Sequence, residues 1–262
     1  YQHLGWEYPE VLSVGRVSLE GAILSKSKIR AGVESGLYTG WDDPRLGTLM
    51  ALRRRGIQPE AIRALMIELG TKPINATLTW GNIAAANRRV VEPRARRYFF
   101  VANPIRLKVR GIPHEFDPRL PLHPDHPEWG TRDFKITPIE GRFDFFISGD
   151  DLRLLEAGRV LRLMGLFNLR VQRVGEGVVE ADYLSEPYSE ARSLGAPLIH
   201  WLPEGEGAPT RVVMPDAATV EGLSERRCMD LKPDTVIQFE RFGFVRVDDV
   251  SGGTLIAYFA HR

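Results

Sequence analysis

The chain has 262 residues, which is enough for two or three domains with a substantial core. Its composition, 43% hydrophobic and 26% charged, is ordinary for a globular protein, and no run approaches the ~18 consecutive apolar residues of a membrane span. A formal net charge of +1 does not by itself indicate a nucleic-acid binder, so any such footprint must be local. The single cysteine, Cys228, excludes an intrachain disulfide and a cysteine-based zinc site, and we expect a reducing, cytoplasmic location.

Residues 1–22 lead into a short segment rich in lysine and serine. Loosely alternating apolar residues over 11–19 predict a strand, and the segment itself, Ile23 to Ile29, predicts a loop followed by glycines. Two lysines two residues apart on such a loop supply mobile ammonium groups and hydroxyl donors, which suit a polyphosphate. An exposed turn of the same composition is the alternative, and the segment alone does not decide between them.

Residues 41–97 have the pattern of three short helices. Asp43 is a predicted N-cap with Pro44 at the first helical position, and Gly56 is a predicted left-handed stop. A second helix is expected from Pro59 to Gly70 and a third over about 79–91. Arginines off the apolar stripes are candidates for RNA phosphate contacts, with solvated helix faces as the alternative. These arginines are Arg53, Arg54, Arg55, Arg88, Arg89, Arg94, Arg96 and Arg97.

After Arg97 the chain consists of short β-prone runs separated by glycine, proline and aspartate. Many short strands at regular spacing predict antiparallel barrels or sandwiches, and about 165 residues suffice for two small barrels. A pair of histidines in this region, His123 and His126, has metal-like spacing around Asp125, but no further ligand follows at a recognised spacing. We therefore predict no metal site in the chain.

The order of several motifs makes a specific resemblance. The motifs are LSKSK at 24–28, GWDDPRLGTL at 40–49 and LRRRGIQPEAI at 52–62, followed by the residues at 130–132, 199–201 and 238–244. In this order they resemble the class I glutamyl- and glutaminyl-tRNA synthetase family over essentially the whole chain. The first motif is similar to the KMSKS loop of that family, and LGWEYPE at 4–10 leans towards its archaeal glutamyl branch.

The resemblance implies a multi-domain α+β fold. Residues 1–30 would be the end of a Rossmann catalytic domain with a KMSKS-like loop, and 31–97 a helical domain that contacts the tRNA stem. Residues 98–262 would form a double β-barrel that binds the anticodon, with the last strands, about 236–262, returning to the first barrel. No HIGH-type motif occurs in the chain, so the resemblance implies that this portion alone does not activate an amino acid.

The resemblance also implies functional residues, with ATP and Mg²⁺ as the cofactors of the intact enzyme. Lys26 would stabilise the β- and γ-phosphates of ATP, with Ser25, Ser27 and Lys28 beside it. Side chains that form paired hydrogen bonds with splayed bases suit anticodon recognition. The residues implied for tRNA contact are Arg132, Gln238, Glu240, Arg241, His200, Arg45, Arg53, Arg54 and Arg55. Ion pairs at the barrel rim are the alternative for Glu240 and Arg241, and a core position is the alternative for His200.

The partner that the resemblance implies is tRNA(Glu), with tRNA(Gln) and other translation or amidotransferase components as further candidates, and it implies no DNA and no membrane. Two alternatives stay open. One is a glutaminyl-tRNA synthetase, since the residues that select the amino acid would lie upstream. The other is a tRNA-binding module without catalysis, against which the retained Lys26 segment argues.

Overall fold

A computed structural model describes all residues, 1–262, and it divides into two compact units. The first unit comprises residues 1–53 and 57–91, and the second comprises 54–56 and 92–262. No helix in either unit has the length and apolar character needed to span a membrane.

The first unit contains four α-helices and one pair of strands. The helices are α1 Lys26–Glu34, α2 Leu49–Arg54, α3 Pro59–Leu69 and α4 Trp80–Val91, and the strands are β1 Val17–Leu19 and β2 Ala76–Leu78. The two strands pair in parallel. As predicted, α3 starts at a proline and stops at Gly70 with φ 67°, and Gly56 has φ 88°. Helices α3 and α4 are joined by a hydrogen bond from Gln58 N to Asn87 Oδ1 at 2.7 Å.

The lysine and serine segment is helical from Lys26 onward, so the predicted loop is wrong for its second half and holds only for Ile23 to Ser25. Ser25 stands at the extended N-cap position, and α1 begins at the next residue. Ile29 anchors the helix because it is buried against Leu46 and Ala51. Gly32 suggested a loop, yet it lies inside α1, where a β-carbon would come within 2.5 Å of the Tyr38 ring. Close approach of an aromatic ring, and not chain flexibility, therefore explains this glycine.

The predicted N-cap at Asp43 is also wrong, because α2 begins only at Leu49. Asp43 is buried and accepts hydrogen bonds from Thr39 N, at 3.0 Å, and from Arg45 Nε, at 2.8 Å. Burial acts to raise the pKa of Asp43, but the hydrogen bonds from Arg45 and Thr39 outweigh it and hold that pKa well below its usual range. The cap of α2 is Thr48, whose Oγ1 accepts from Ala51 N at 3.0 Å.

The second unit is built from sixteen strands, a short helix and three single 3₁₀ turns. The strands before residue 150 are β3 Arg97–Tyr98, β4 Phe100–Ala102, β5 Pro104–Arg110, β6 Arg119–Pro121, β7 Thr131–Asp133 and β8 Phe143–Ser148. Those after it are β9 Val160–Leu163, β10 Asn168–Gly175, β11 Val178–Ser185, β12 Leu198–Ile199, β13 Trp201–Pro203, β14 Gly207–Val213, β15 Thr219–Glu225, β16 Val236–Phe239, β17 Gly243–Ser251 and β18 Thr254–His261. The helix is α5 Tyr188–Ser193, and the 3₁₀ turns are Pro127–Trp129, Gly149–Leu154 and Arg226–Asp230.

Fourteen of these strands form two seven-stranded sheets, in agreement with the prediction of two β-domains, and the other two, β6 and β7, pair antiparallel with each other. Sheet I has the strand order β12-β9-β10-β11-β5-β8-β13, and sheet II has the order β3-β16-β17-β18-β14-β15-β4. The sequence predicted antiparallel sheets, but both sheets are mixed. Strand β5 pairs in parallel with β11 in sheet I, and β18 pairs in parallel with β14 in sheet II. The last three strands thus share a sheet with β3 and β4, the first strands of the unit.

Each sheet curls until its two edge strands are consecutive in sequence. The edges of sheet II are β3 and β4, which are separated only by Phe99. The edges of sheet I are β12 and β13, which are separated only by His200. Phe99 and Trp201 lie in the core enclosed by sheet I, whereas Phe100 lies in the core of sheet II. The alternation of neighbouring side chains therefore sends two successive phenylalanines into two different cores.

We predict that Gly222→Ala weakens the second unit. Gly222 lies in β15 opposite Ala102 of β4, and a β-carbon there would be 2.4 Å from the Val101 carbonyl oxygen. Backbone atoms of a paired strand cannot yield as a flexible side chain can, so the free energy of unfolding should fall by about 1–3 kcal/mol. Gly175→Ala is the matched control, since its nearest atom would be at 3.6 Å. Urea unfolding that gave equal losses for both variants would contradict this packing argument.

Candidate nucleic-acid interface

The strongest candidate surface is the turn that joins β16 to β17. Gln238 lies in β16, while Glu240 and Arg241 form the turn, and Arg241 has φ 64°. The turn is tied to strand β3 and the residue before it, because Gln238 N donates to Arg96 O and Glu240 N donates to Tyr98 O, both at 2.9 Å. A backbone fixed in this way presents its side chains in defined directions.

Arg241 is held by two buried partners. Its Nη1 and Nη2 donate to the two carboxylate oxygens of Asp151, at 2.9 and 2.6 Å, and Nη1 also contacts His200 Nδ1 at 3.0 Å. The Asp151 side chain is 5% exposed, whereas that of Arg241 is 31% exposed. The arginine is therefore anchored from the protein side and reaches the surface. This ion pair corresponds to the alternative that the sequence left open for Arg241.

His200 does not face solvent, so its predicted contact with tRNA is not available in this structure. The residue is 4% exposed, and its Nε2 lies 2.6 Å from the carbonyl oxygen of Phe100 and 3.2 Å from Ser148 Oγ. Burial and the neighbouring charge of Arg241 lower the pKa of His200 to about 4, although Asp151 acts in the opposite direction. A neutral ring with its proton on Nε2 satisfies both contacts, with Nδ1 left to accept from Arg241.

Arg132, which the resemblance implied for tRNA contact, is buried, so its guanidinium is not available to RNA in this structure. The residue lies in β7, and its side chain is only 3% exposed. Its Nη1 donates to Glu225 Oε1 at 2.9 Å, its Nη2 bonds Glu240 Oε1, and its guanidinium stacks 4.6 Å above the ring of Phe99. The sequence shows only a Gly-Thr-Arg tripeptide, and the carboxylates that bury this arginine lie 93 and 108 positions away.

Glu240 and Glu225 are thus structural partners of Arg132. Glu225 also accepts from the backbone N–H of Phe99 at 2.7 Å. That N–H belongs to the single residue between β3 and β4, and the side chain of Glu225 supplies the acceptor that a buried N–H needs. The ion pair that the sequence left open for Glu240 is present, with Arg132 as its partner.

The arginines at 53–55 differ widely in exposure, so not all of them can make the predicted contacts with RNA phosphates. Arg53 is exposed, and Arg54 stacks 4.6 Å from the ring of Tyr258. Arg55 is buried, and its Nη2 donates to Ala260 O at 3.0 Å, so its predicted contact with phosphate is wrong. Burial lowers the pKa of Arg55 to about 10.

Arg45, also predicted to contact tRNA, has its guanidinium committed to Asp43 through Nε and Nη2. It further donates from Nη2 to Leu37 O at 2.6 Å and lies over the ring of Tyr38. These contacts give Arg45 a structural role in the first unit, where it links Asp43, Leu37 and Tyr38.

A basic groove in the second unit was only partly visible in the sequence. It has a volume of about 270 Å³ and is lined by three cations, Arg94, Arg96 and Lys232, by one carboxylate, Asp230, and by apolar and polar residues that include part of β16. The two arginines belong to the basic run that the sequence revealed, but Lys232 lies 136 positions beyond Arg96. Only the parallel pairing of β3 with β16 brings the lysine to them, and no local pattern could have indicated it.

The lysine segment of the first unit is open to solvent at the start of α1. Ser25, Lys26, Ser27 and Lys28 are all exposed, and Ser25 Oγ lies 3.2 Å from Ser27 Oγ. The first backbone N–H groups of a helix have no partners within it and favour anions. A cavity of about 410 Å³ beside this segment is lined by Ser25, Lys28 and residues of β1.

The histidine pair is explained by packing. His123 Nε2 contacts Glu92 O at 2.9 Å and its Nδ1 accepts from Asp125 N, whereas His126 stacks on Trp129 at 4.3 Å. Nowhere in the structure do three or more of the side chains that could hold a metal ion come together.

We predict that the protein becomes less stable as the pH is lowered, because the fold holds His200 in its neutral form. Its pKa is about 4 in the folded chain and 6.5 in an unfolded chain, so between these values only the unfolded chain binds the proton. The free energy of unfolding should therefore decrease as pH falls from about 6.5 towards 4, by on the order of 3 kcal/mol in total. Denaturant unfolding across this range should show a flatter profile for His200→Gln. His114→Gln should keep the decrease, because contacts to Glu115 O and Glu186 raise the pKa of His114. An unchanged profile for His200→Gln would contradict the assignment.

Comparison with known proteins agrees with the geometry. Residues 1–93 match the family model described as tRNA synthetases class I (E and Q), catalytic domain. Residues 95–184 and 198–248 match two models described as the anti-codon binding domain of the same synthetases. The chain is 49% identical to the glutamate–tRNA ligase of Pyrococcus abyssi, 44% to that of Methanothermobacter thermautotrophicus and 41% to that of Methanopyrus kandleri.

These matches cover 100% of this chain but only 45–46% of each relative, so the chain spans less than half the length of the curated relatives it matches. Three models of one synthetase family, in consecutive order, account for most of its residues. The chain therefore belongs to the class I tRNA synthetase family for E and Q.

Proposed function

We propose that this chain is the tRNA-reading portion of a glutamate–tRNA ligase and that its second unit binds the anticodon. The observation that carries the proposal is the β16–β17 turn, where a half-buried Gln238 lies three positions before an anchored, surface-reaching Arg241. Amide and guanidinium groups are those that form paired hydrogen bonds with base edges. The match of residues 95–184 and 198–248 to anticodon-binding models supports this assignment.

The basic groove supplies the second component, contact with phosphates. Arg94, Arg96 and Lys232 place three cations around one groove of the second unit, and an RNA backbone binds such a surface regardless of sequence. The other exposed arginines of the predicted set, which have the same role in the proposal, are Arg53, Arg88 and Arg89. Phosphate contacts position the RNA, while base contacts at the turn specify it.

The first unit contributes to amino acid activation in the whole protein. In that reaction the glutamate carboxylate attacks the α-phosphorus of ATP, the bond to the β-phosphate oxygen breaks, and glutamyl-adenylate and pyrophosphate form. Lys26 stabilises the charge on the leaving phosphates, with Lys28 as an auxiliary cation and Ser25 and Ser27 as donors. Their exposure at a helix N-terminus fits an anionic substrate. No residue of the chain is assigned to Mg²⁺.

Glutamine is the second candidate substrate, because the matching family models cover both E and Q synthetases. The relatives compared above are all glutamate–tRNA ligases, which favours glutamate. Exchange of pyrophosphate into ATP by the full-length protein, measured with glutamate and with glutamine, separates the two. The domain limits proposed from the sequence, 1–30, 31–97 and 98–262, and a cytoplasmic location remain part of the proposal.

We predict different effects from Arg241→Ala and Arg94→Ala on tRNA binding. Loss of Arg241 should cost on the order of 1–3 kcal/mol with cognate tRNA and relax discrimination at one anticodon position. Loss of Arg94 should weaken all tRNAs about equally and make the salt dependence shallower by about one counterion. Titrations with cognate tRNA and with single-base anticodon variants, across a salt series, measure both effects. If Arg241→Ala weakens every anticodon equally, the proposed reading of the anticodon is wrong.

We also predict that Lys26→Ala slows activation in the full-length protein. Removing one charge contact that strengthens in the transition state should lower the rate of glutamate-dependent pyrophosphate exchange by about 10²–10³-fold, with little change in tRNA affinity. Arg30→Ala, an exposed cation of the same helix, is the matched control and should retain the rate. Equal rates for wild type and Lys26→Ala would remove this lysine from the mechanism.

A further inference from the structure

The guanidinium of Arg241 is only partly used by its protein partners. An arginine has five N–H donors, one on Nε and two on each Nη. Asp151 takes one hydrogen from Nη1 and one from Nη2, and His200 Nδ1 takes the second hydrogen of Nη1. Three donors are therefore occupied, namely both hydrogens of Nη1 and one hydrogen of Nη2.

The two donors that remain are the Nε–H and the second Nη2–H. Because the guanidinium is planar, these two bonds run parallel along one edge of the group, about as far apart as two adjacent acceptors on a base. Such an edge fits O6 and N7 of guanine, or O2 and N3 of cytosine. With 31% of the side chain exposed, Arg241 retains one complete bidentate edge for a ligand outside the protein.

The two residues that hold Arg241 are themselves fixed. Asp151 is buried within the 3₁₀ turn Gly149–Leu154. His200 donates to Phe100 O from Nε2, which leaves Nδ1 with the lone pair that Arg241 requires. A charged histidine would carry a proton on Nδ1 and repel the guanidinium, so its burial and lowered pKa suit this contact. The arginine is thus held from two directions before any ligand arrives.

We infer that Asp151 and His200 are positioning residues that select which edge of Arg241 reads the anticodon. That edge carries two parallel N–H donors, and it pairs with a base that presents two adjacent hydrogen-bond acceptors. The inference rests on the proposed function. Since Asp151 also offsets the positive charge of Arg241, this arginine acts through geometry more than through charge. Its loss should change the salt dependence of binding less than the loss of Arg94 does.

The test is a double-mutant cycle on Asp151 and Arg241 in the full-length protein. Asp151→Asn keeps the size of the side chain but removes one acceptor and the charge. We expect it to lower discrimination between cognate tRNA and a single-base anticodon variant by roughly tenfold, a part of what Arg241→Ala removes. Combined with Arg241→Ala, it should cause no further loss of discrimination, because it acts only through Arg241.

Asp150→Asn is the matched control for charge. Asp150 is the exposed neighbour of Asp151, and its loss removes the same charge from the same turn. It should shift the affinity for all tRNAs equally and leave discrimination unchanged. Discrimination that stays intact in Asp151→Asn, while Arg241→Ala abolishes it, would overturn the inference and leave the proposed function standing. If neither variant changes discrimination, the proposed reading by Arg241 fails as well.

The wild-type protein provides a measurement that does not depend on how a variant folds. The Nε–H resonance of Arg241, assigned from its loss in Arg241→Lys, should shift when an anticodon stem-loop of cognate sequence binds. It should stay in place with the stem-loop altered at the base that Arg241 reads. An Nε–H resonance that responds equally to both RNAs would show that this edge does not read a base.

Discussion

Two sheets that curl until their edges meet at one residue impose the main constraint on this protein. At Phe99 and at His200 the chain passes directly from one edge strand to the other, and two backbone groups there, Phe99 N and Phe100 O, are bonded by side chains. Buried polar groups without partners are costly, and at these two groups side chains act as the partners. Glu225 accepts from Phe99 N, and His200 binds Phe100 O.

These side-chain bonds lead directly to the proposed RNA-reading surface. Glu225 requires a cation and obtains it from Arg132, which in turn binds Glu240 of the β16–β17 turn. His200 requires a donor for Nδ1 and obtains it from Arg241 of the same turn. A buried carboxylate and a buried imidazole, both needed to close the sheets, thus fix adjacent residues of one exposed turn. Breaking one member of such a buried pair costs more than the loss of a surface ion pair.

Burial decides which basic residues stabilise the fold and which remain available to bind RNA. Arg55 and Arg132 donate hydrogen bonds to carbonyl and carboxylate oxygens inside the protein, and so they stabilise the fold. Arg94 and Lys232 line an open groove, where their charge remains available to phosphates. Arg241 lies between these extremes, with one edge of its guanidinium committed and the other open.

The sequence by itself determined the family, the two β-domains, the stops at Gly56 and Gly70, and the candidate turn at 238–241, because each depends on local composition or on the order of motifs. Only the tertiary structure decided that Arg132, His200 and Arg55 are buried, that Lys26 begins a helix, and that both sheets contain parallel pairs. The partners that bury Arg132 and Arg55 lie about 90 to 200 positions away. Exposure of a charged side chain depends on such distant partners, so residue type and spacing could identify the arginines but not which of them face the RNA.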